Sequence, residues 1–292
     1  LSASISFEST SVGNLINVTG TDFNEFSYSY MRFVGDGGEW TLMDSLIDLS
    51  QISFESGSFN SNNFTIKGED ININYGNLNG LVNLGESYLN CYMFSSYDSL
   101  ILDADSSIIE AYNFYANFDS YNIVHANHVS SYGSNFDSLI FISGSNNLDA
   151  SYCTINYASF TNNYVDVNGN DCLFKYALFT NNNVSIDGNH TFDTLIFNNP
   201  GKIITIEANN TNTINDSLKL NGDCSEMIIL MSDLSGSQSV IKKSNGIVNI
   251  EFVTLQDINV TGGAIFNASN CVDAGNNSGW NLNAIIPREM YW

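Results

Sequence analysis

Positive charge is scarce in this chain. Only 8 of its 292 residues are Lys or Arg, whereas 31 are Asp or Glu, so the formal net charge at pH 7 is −23. A protein that binds nucleic acid neutralises phosphates with clustered Lys and Arg. We therefore expect no nucleic-acid partner. The dispersed acidic residues are typical of a soluble surface in an extracellular medium.

Proline, long apolar runs and targeting features are scarce or missing as well. The sequence has 2 Pro residues and no apolar stretch of the length that a membrane-spanning helix needs. It begins without Met and shows no signal-peptide pattern. We expect no membrane span, and the ends of the sequence look like cuts within a longer chain.

The chain has five cysteines, an odd number, so at least one thiol has no partner for a disulfide within the chain. They are Cys91, Cys153, Cys172, Cys224 and Cys271. Cys153 and Cys172 occupy the same position of the repeat described next, which places their Cα atoms about 5 Å apart, within disulfide range. The alternative is a ladder of buried thiols, which we favour because Cys is among the most buried residue types.

What the sequence does contain is a repeat. Residues 153–171 and 172–190 read CTINYASFTNNYVDVNGND and CLFKYALFTNNNVSIDGNH, and ten of the nineteen aligned positions are identical. In each copy a β-branched alternation, Val165 and Val167 in the first, precedes a Gly-Asn pair. Alternation with period two indicates a strand, and Gly-Asn suits a corner with positive φ. One copy therefore predicts one turn of a solenoid.

The repeat continues outward with a phenylalanine as its most durable mark. The marks are Phe94, Phe118, Phe136, Phe160, Phe179 and Phe197, at steps of 24, 18, 24, 19 and 18. An apolar strand follows each mark, and steps of this size suit coils with loops of variable length. We predict that the six rings form one internal column, with neighbouring centroids about 4.5–7 Å apart.

These patterns define the fold class. The chain has 44 Asn, a residue that tolerates left-handed backbone angles and stacks its amide on an identical side chain one coil away. We predict an all-β fold, a single-stranded parallel β-helix with about 20 residues per coil and about 14 coils. We expect it to be right-handed, as crossovers between parallel strands usually are.

The rhythm of the pattern divides the chain into four segments. Residues 1–60 are drifted N-terminal coils, and residues 61–210 are regular solenoid coils. Residues 211–286 are C-terminal coils with a closing Gly/Asn loop, in which Trp280 is the hydrophobic plug. Residues 287–292 are the start of a following unit or a linker.

The last third of the sequence carries a resemblance. The quoted elements are Phe192–Phe197, Asp257-Ile-Asn-Val-Thr-Gly-Gly-Ala264, Asp273-Ala-Gly-Asn-Asn-Ser-Gly-Trp280 and Arg288-Glu-Met-Tyr-Trp292. Their order resembles the end of one β-solenoid unit and the opening of the next in long bacterial cell-surface, adhesin-like proteins and in phage tail-fibre-like proteins. The resemblance implies a β-solenoid in an extracellular setting, and it brings no catalytic residue to this chain.

The expected function follows from the repeat and the resemblance together. We expect a non-enzymatic structural or adhesive repeat unit of a long extracellular surface protein or filament, located at the cell surface. It would contact neighbouring units of the same chain or filament, and surface glycans, through weak multivalent contacts. The alternative is a phage tail-fibre or tailspike segment with receptor-binding or polysaccharide-depolymerising activity.

Groups that suit catalysis or metal binding are few. No Asp-Asp pair or His-Gly is present, and we predict no catalytic residue, no cofactor-binding residue and no metal ligand. Asp103 and Asp105 are the paired carboxylates that a glycosidase or a calcium site would need, but solvated corner residues are the simpler interpretation. His125 and His128 lie three residues apart, which in a straight strand places them on opposite faces and disfavours a shared metal.

Two kinds of surface feature remain candidates for binding or modification. Nine Asn-x-Ser/Thr sequons occur, including those at Asn17, Asn63, Asn189 and Asn259, and they reflect the composition before they indicate glycosylation. Tyr112, Tyr121 and Tyr132 are candidates to stack on sugar rings, although we favour a place in the core or in a ladder for each.

The inside and outside assignments predict unequal effects of mutation. Val165→Asp places an unpaired carboxylate in the core and is expected to cost several kcal/mol. Asn181→Ala at a corner is expected to cost about 1 kcal/mol. Urea unfolding of both variants measures the difference, and equal costs would show that the assignments are wrong.

Overall fold

The structure is a computed structural model that describes residues 2–73, 80–97, 101–142, 144–161, 164–180 and 183–284. The chain divides into two compact units, Leu1–Ile140 and Phe141–Trp292. In each unit, parallel strands stack one turn upon the next. The boundaries drawn from the sequence at residues 60, 210 and 286 stay predictions.

The described residues of the first unit form nine complete strands and one 3-10 turn, Phe23–Glu25. The strands are β1 (Ser2–Phe7), β2 (Asn14–Ile16), β3 (Tyr28–Leu42), β4 (Leu46–Asn60), β5 (Ile66–Ile73), β6 (Leu81–Asn83), β7 (Tyr88–Ser96), β8 (Ile101–Asn117) and β9 (Ser120–Tyr132). Strand β10 (Asn135–Phe141) ends at the first residue of the second unit. The long strands β3, β4 and β8 each pair with two shorter strands, so one strand passes around a corner of the solenoid.

The second unit contains shorter and more even strands. They are β11 (Ser145–Ser151), β12 (Thr154–Phe160), β13 (Tyr164–Asn168), β14 (Leu173–Phe179), β15 (Asn183–Ile186), β16 (Thr191–Phe197), β17 (Ile203–Ile206), β18 (Thr211–Leu220), β19 (Ile228–Ser232), β20 (Ser239–Lys242), β21 (Ile247–Glu251), β22 (Val253–Gln256), β23 (Ile258–Thr261), β24 (Ile265–Asp273) and β25 (Trp280–Ala284). Strands β11, β13, β15, β17 and β19 stack in one column, and β12, β14, β16 and β18 stack in another.

The predicted fold class is confirmed: the protein is an all-β parallel β-solenoid with turns of about 19 residues. The two units together have about 12 turns, fewer than the 14 predicted. The length of the turns varies along the chain. Ser2 pairs with Tyr28 one turn away, whereas Ile109 pairs with Val124. The right-handedness expected from the sequence stays a prediction.

The central repeat does correspond to one turn per copy. Phe160 pairs with Phe179 and Val165 with Val184, each with the same position of the next copy. Val165 is fully buried, as predicted, whereas Asn181 lies outside the described residues. In β14 the buried residues Phe174 and Ala177 are three apart, so the strand bends and two successive side chains face outward.

The Gly-Asn pair of the repeat forms a corner, as predicted. Gly169 and Gly188 have φ of 107° and 89°. A Cβ atom on Gly188 would lie 1.7 Å from the carbonyl oxygen of Gly169, and one on Gly169 would lie 1.9 Å from that of Ala150. Successive turns therefore approach so closely at this corner that only glycine fits.

The asparagines beside these glycines form a hydrogen-bonded ladder. The backbone N–H of Asn189 donates to Oδ1 of Asn170 (3.2 Å), and the backbone N–H of Thr211 donates to Oδ1 of Asn189 (2.7 Å). Each side chain thus satisfies a backbone donor of the turn that follows. This confirms the predicted use of asparagine at corners.

A phenylalanine column fills the second unit. The rings of Phe141, Phe160, Phe179 and Phe197 stack with centroid separations of 4.7, 4.4 and 5.1 Å. For Phe160, Phe179 and Phe197 the predicted column is therefore confirmed. The stacked geometry adds to the free energy gained by burying the rings.

For the other marks the predicted column is wrong. Phe118 is 62% exposed and lies at a corner with φ of 58°. Phe94 stacks on Phe114 at 5.0 Å, and Phe136 meets the edge of Phe114 at 5.9 Å. The sequence Phe136-Asp-Ser-Leu-Ile-Phe141 matches Phe192–Phe197, which shows that Phe141, and not Phe136, is the counterpart of Phe197.

The cysteines are all free thiols. Cys153 and Cys172 are both buried, in agreement with the favoured interpretation as a thiol ladder. The Cys172 thiol donates to the carbonyl oxygen of Ala150 at 3.2 Å. A hydrogen bond with Cys153, together with burial, raises the pKa of Cys172. Among the five, only Cys224 is exposed.

The C-terminal end is described up to residue 284. Trp280 is half-buried and packs against the ring of Phe266 at 5.4 Å, as expected of a plug. The segment 287–292, with its motif from Arg288 to Trp292, lies outside the described residues.

The close approach at the glycine corner yields a stability prediction. Gly188→Ala should lower the free energy of unfolding by about 3–5 kcal/mol, because the new Cβ meets a backbone oxygen and adopts a left-handed φ. Gly236→Ala is the matched control: Gly236 has φ of 84° but nothing within 4 Å of its Cβ position, so only the cost of the backbone angle, about 1–2 kcal/mol, should appear. Chemical unfolding of both variants measures the two costs. Equal costs would contradict the close contact between turns.

Candidate functional site

The outward faces of the strands carry ladders of similar side chains, because parallel, in-register turns place equivalent residues about 4.8 Å apart. An exposed aromatic ladder, called here the tyrosine ladder, consists of Tyr92, Tyr112 and His128. The rings of Tyr92 and Tyr112 stack at 5.2 Å with 6° between their planes, and His128 meets Tyr112 edge-on at 5.3 Å. Tyr92 and Tyr112 are 59% and 44% exposed. Mutual stacking covers ring faces and leaves edges and hydroxyl groups accessible.

The three tyrosines proposed from the sequence have different environments. Tyr112 belongs to the tyrosine ladder, so Tyr92 and His128 already contact its ring. Tyr121 is buried and stacks on Phe136 at 5.4 Å, in agreement with the favoured place in the core, so it is not available to stack on a sugar ring. Burial also raises its pKa well above the ordinary value. Tyr132 is exposed and packs edge-on against Phe118 at 5.3 Å.

The sequence contains a signal for the tyrosine ladder that went unused. Tyr92 and Tyr112 each stand two residues before a buried phenylalanine, Phe94 or Phe114, so the pattern Tyr-x-Phe marks the ladder in consecutive turns. A second ladder in the other unit joins Tyr157 and Tyr176, which stack at 5.5 Å. These two positions are identical in the central repeat.

The histidines and carboxylates considered for chemistry are not brought together. Asp103 is exposed, and the side chain of Asp105 lies outside the described part. His125 and His128 are both partly exposed, because the buried pair between them, Ala126 and Asn127, interrupts the alternation. The prediction of opposite faces is therefore wrong. Among the described residues, no group of three His, Cys, Asp or Glu side chains could hold a metal ion.

One corner of the second unit carries a column of acidic side chains on successive turns. Asp187, Glu207 and Asp233 follow the mutually paired strand ends at Ile186, Ile206 and Ser232. Burial, followed by the charge of Glu207, raises the pKa of Asp187 above its ordinary value.

Two members of this column bind backbone groups of the preceding corner. Oε2 of Glu207 accepts from the N–H of Gly188 at 2.7 Å, and Oδ1 of Asp233 accepts from the N–H of Ala208 at 2.7 Å. The column thus ties turns together with charge-assisted hydrogen bonds.

The Asp-x-x-x-Thr-Gly-Gly-Ala and Asp-x-Gly-Asn-Asn-x-Gly-Trp elements meet in a network of hydrogen bonds. Asp257 accepts from Nδ2 of Asn276 at 2.6 Å and from the N–H of Gly236 at 3.1 Å. The hydrogen bond from Asn276 is the main cause of a lowered pKa of Asp257, and the bond from Gly236 adds to it. Nδ2 of Asn277 donates to the carbonyl oxygen of Leu255 at 2.8 Å. The side chains of both elements therefore fix the closing loops.

Two lysines are buried and solvate backbone carbonyl groups. Nζ of Lys202 donates to the carbonyl oxygens of Phe179 (3.1 Å) and Asn198 (2.8 Å). Nζ of Lys243 donates to those of Asn215 (2.6 Å) and Asp216 (2.9 Å). Burial lowers the pKa of Lys202 to about 8. Sequence periodicity gave no sign that either lysine faces inward.

These observations define the class of protein as a parallel β-solenoid with laddered outer faces. No protein-family model, no curated protein and no solved structure matches the chain. In the residues that the structure describes, there is no helix of the length and apolar character needed to cross a membrane.

The buried Lys202 predicts a specific pH dependence. Its pKa is 10.5 in the unfolded chain and about 8 in the fold. Between these values the unfolded chain binds more protons, so the contribution of Lys202 to the free energy of unfolding rises with pH. In urea unfolding at several pH values from 8 to 10.5, wild type should gain stability relative to Lys202→Met. Lys175→Met, at an exposed position, is the control; a pH-independent difference for Lys202→Met would contradict the prediction.

Proposed function

We propose that this chain is a non-enzymatic structural and adhesive unit of a long extracellular surface protein or filament. The observation that supports this best is the pair of tyrosine stacks, Tyr92 with Tyr112 and Tyr157 with Tyr176, on the outer faces of stacked turns. A solenoid of this kind presents the same chemistry again and again on a scaffold in which each turn is supported by its neighbours. The fold itself is compatible with such a role.

The proposed mode of attachment is weak and multivalent. Edges and hydroxyl groups of stacked tyrosines offer a small contact area, so one unit binds weakly. Linked units raise the effective concentration of the next contact, and total retention then exceeds the affinity of any single unit. Surface glycans, which combine hydroxyl groups with apolar ring faces, are the proposed partners, together with neighbouring units of the same filament.

The proposal places the protein outside the cell, at a cell surface. The formal net charge of −23 supports a soluble surface in an extracellular medium. The competing origin is a phage tail fibre or tailspike. Sedimentation of the purified chain separates the two: a monomer favours the surface protein, and a trimer favours the fibre.

The proposal predicts how binding depends on copy number. The chain, alone and as a streptavidin-linked tetramer, is passed over immobilised neutral and acidic polysaccharides, and the chain length of the polysaccharides is measured after incubation. We expect brief retention of the single copy, retention at least 100-fold longer for the tetramer, and no shortening of the polysaccharide.

The matched control is a tetramer of a Tyr92→Ser, Tyr112→Ser variant, which keeps the Tyr157–Tyr176 stack and should therefore be retained for a shorter time than the wild-type tetramer, with an unchanged circular-dichroism spectrum. If the protein still shortens the polysaccharide after the protein has been purified repeatedly, the non-enzymatic role is contradicted. Tight binding by the single copy would contradict the multivalent one.

A further inference from the structure

The first unit has a cleft of about 350 Å³ on its outer face. One wall is the loop around the 3-10 turn Phe23–Glu25, which Asp22 caps by accepting the N–H of Asn24 at 3.0 Å. The floor and the other wall come from β4 and β5, where Leu49 pairs with Gly68. A cleft of this size lies within the range of small-molecule sites.

Three of the polar side chains that line this cleft are not used by the described part of the fold, although Ser50 and Asn90, which also line it, make hydrogen bonds to Ser29 and Tyr88. Asp48, Lys67 and Asn24 are exposed, and within the described residues their side chains make no hydrogen bond or ion pair. The ion pair that the described residues do form is between Arg32 and Glu55, away from the cleft. A carboxylate, an ammonium group and an amide therefore face one concave space without neutralising one another.

The same space has an aromatic component. Phe26 is partly exposed and Phe23 is buried, and both line the cleft. Unlike the tyrosines of the ladder, Phe26 has no ring contact with another aromatic residue among the described ones. An aromatic side chain beside hydrogen-bonding groups of both kinds matches a ligand with an apolar face and a rim of hydroxyl groups.

The charged side chains around the cleft indicate which class of ligand it binds. Asp48 and Glu69 outnumber the cation of Lys67 in a chain that is acidic throughout, which disfavours an anionic ligand. We infer that this cleft binds a neutral sugar residue of a polysaccharide, an inference that rests on the proposed attachment to surface glycans. Asp48 accepts hydrogen bonds from the hydroxyl groups, Asn24 both accepts and donates, Lys67 donates, and Phe26 packs on the apolar face of the ring.

The test uses the full chain and defined probes. Binding of maltohexaose, cellohexaose, mannohexaose and, as an acidic comparison, hexagalacturonate is measured by saturation-transfer NMR and titration calorimetry. We expect at least one neutral hexasaccharide to bind with a Kd on the order of 1 mM. Phe26→Leu and Asp48→Asn should each weaken it at least tenfold. Asn tolerates the left-handed φ of 63° at residue 48, so the second variant preserves the fold.

The matched control is Phe118→Leu, which removes an exposed ring outside the cleft and should leave the affinity unchanged. The inference is overturned if no neutral saccharide binds, if the acidic one binds more tightly, or if both cleft variants bind as wild type does. If the cleft variants are retained on immobilised polysaccharide as long as wild type, the cleft is not the sugar site, and the proposed adhesive role stands. Shortened polysaccharide would instead contradict the proposed function, whatever the cleft binds.

Discussion

In-register stacking of turns is the constraint on which this structure depends. A fixed spacing between parallel strands means that every side chain has a counterpart directly above or below it. Where the counterparts are apolar they form the phenylalanine column, and where they are polar they form ladders such as Asn170 with Asn189. Core and surface are thus two outcomes of the same geometric rule. A residue that cannot stack on its own kind has to be compensated for locally.

That rule explains what the sequence predicted well. The central repeat aligns without a gap, so Val165 and Val184, or Phe160 and Phe179, had to occupy equivalent positions. A positive φ at Gly169 and Gly188 followed from the Gly-Asn pair. Two adjacent copies with nearly identical sequences are expected to contact each other, because each residue packs against the equivalent residue one turn away.

The same rule explains the errors. Phe118 and Phe136 were placed in the column from spacing alone, and spacing loses its meaning where turns differ in length. A corner that inserts or removes residues shifts the register, so an inward position becomes an outward one. The cleft could not be predicted for a related reason: Asp48 and Lys67 come from different turns, and Phe26 comes from the loop at the 3-10 turn Phe23–Glu25. Nothing local in the sequence links them.

The bulge in strand β18 has a consequence for how such a chain can change by mutation. Pairing shifts by one residue between Phe192 and Thr194 opposite this strand, and the displaced carbonyl groups of Asn215 and Asp216 are satisfied by Lys243 from a later turn. An extra residue in one turn is therefore tolerated only while a particular side chain in another turn is present. Replacing Lys243 would leave these two carbonyl groups without that hydrogen-bond donor. This irregular turn therefore depends on a residue from a distant part of the sequence, whereas the turns of the central repeat are held by the equivalent residues of the turns next to them.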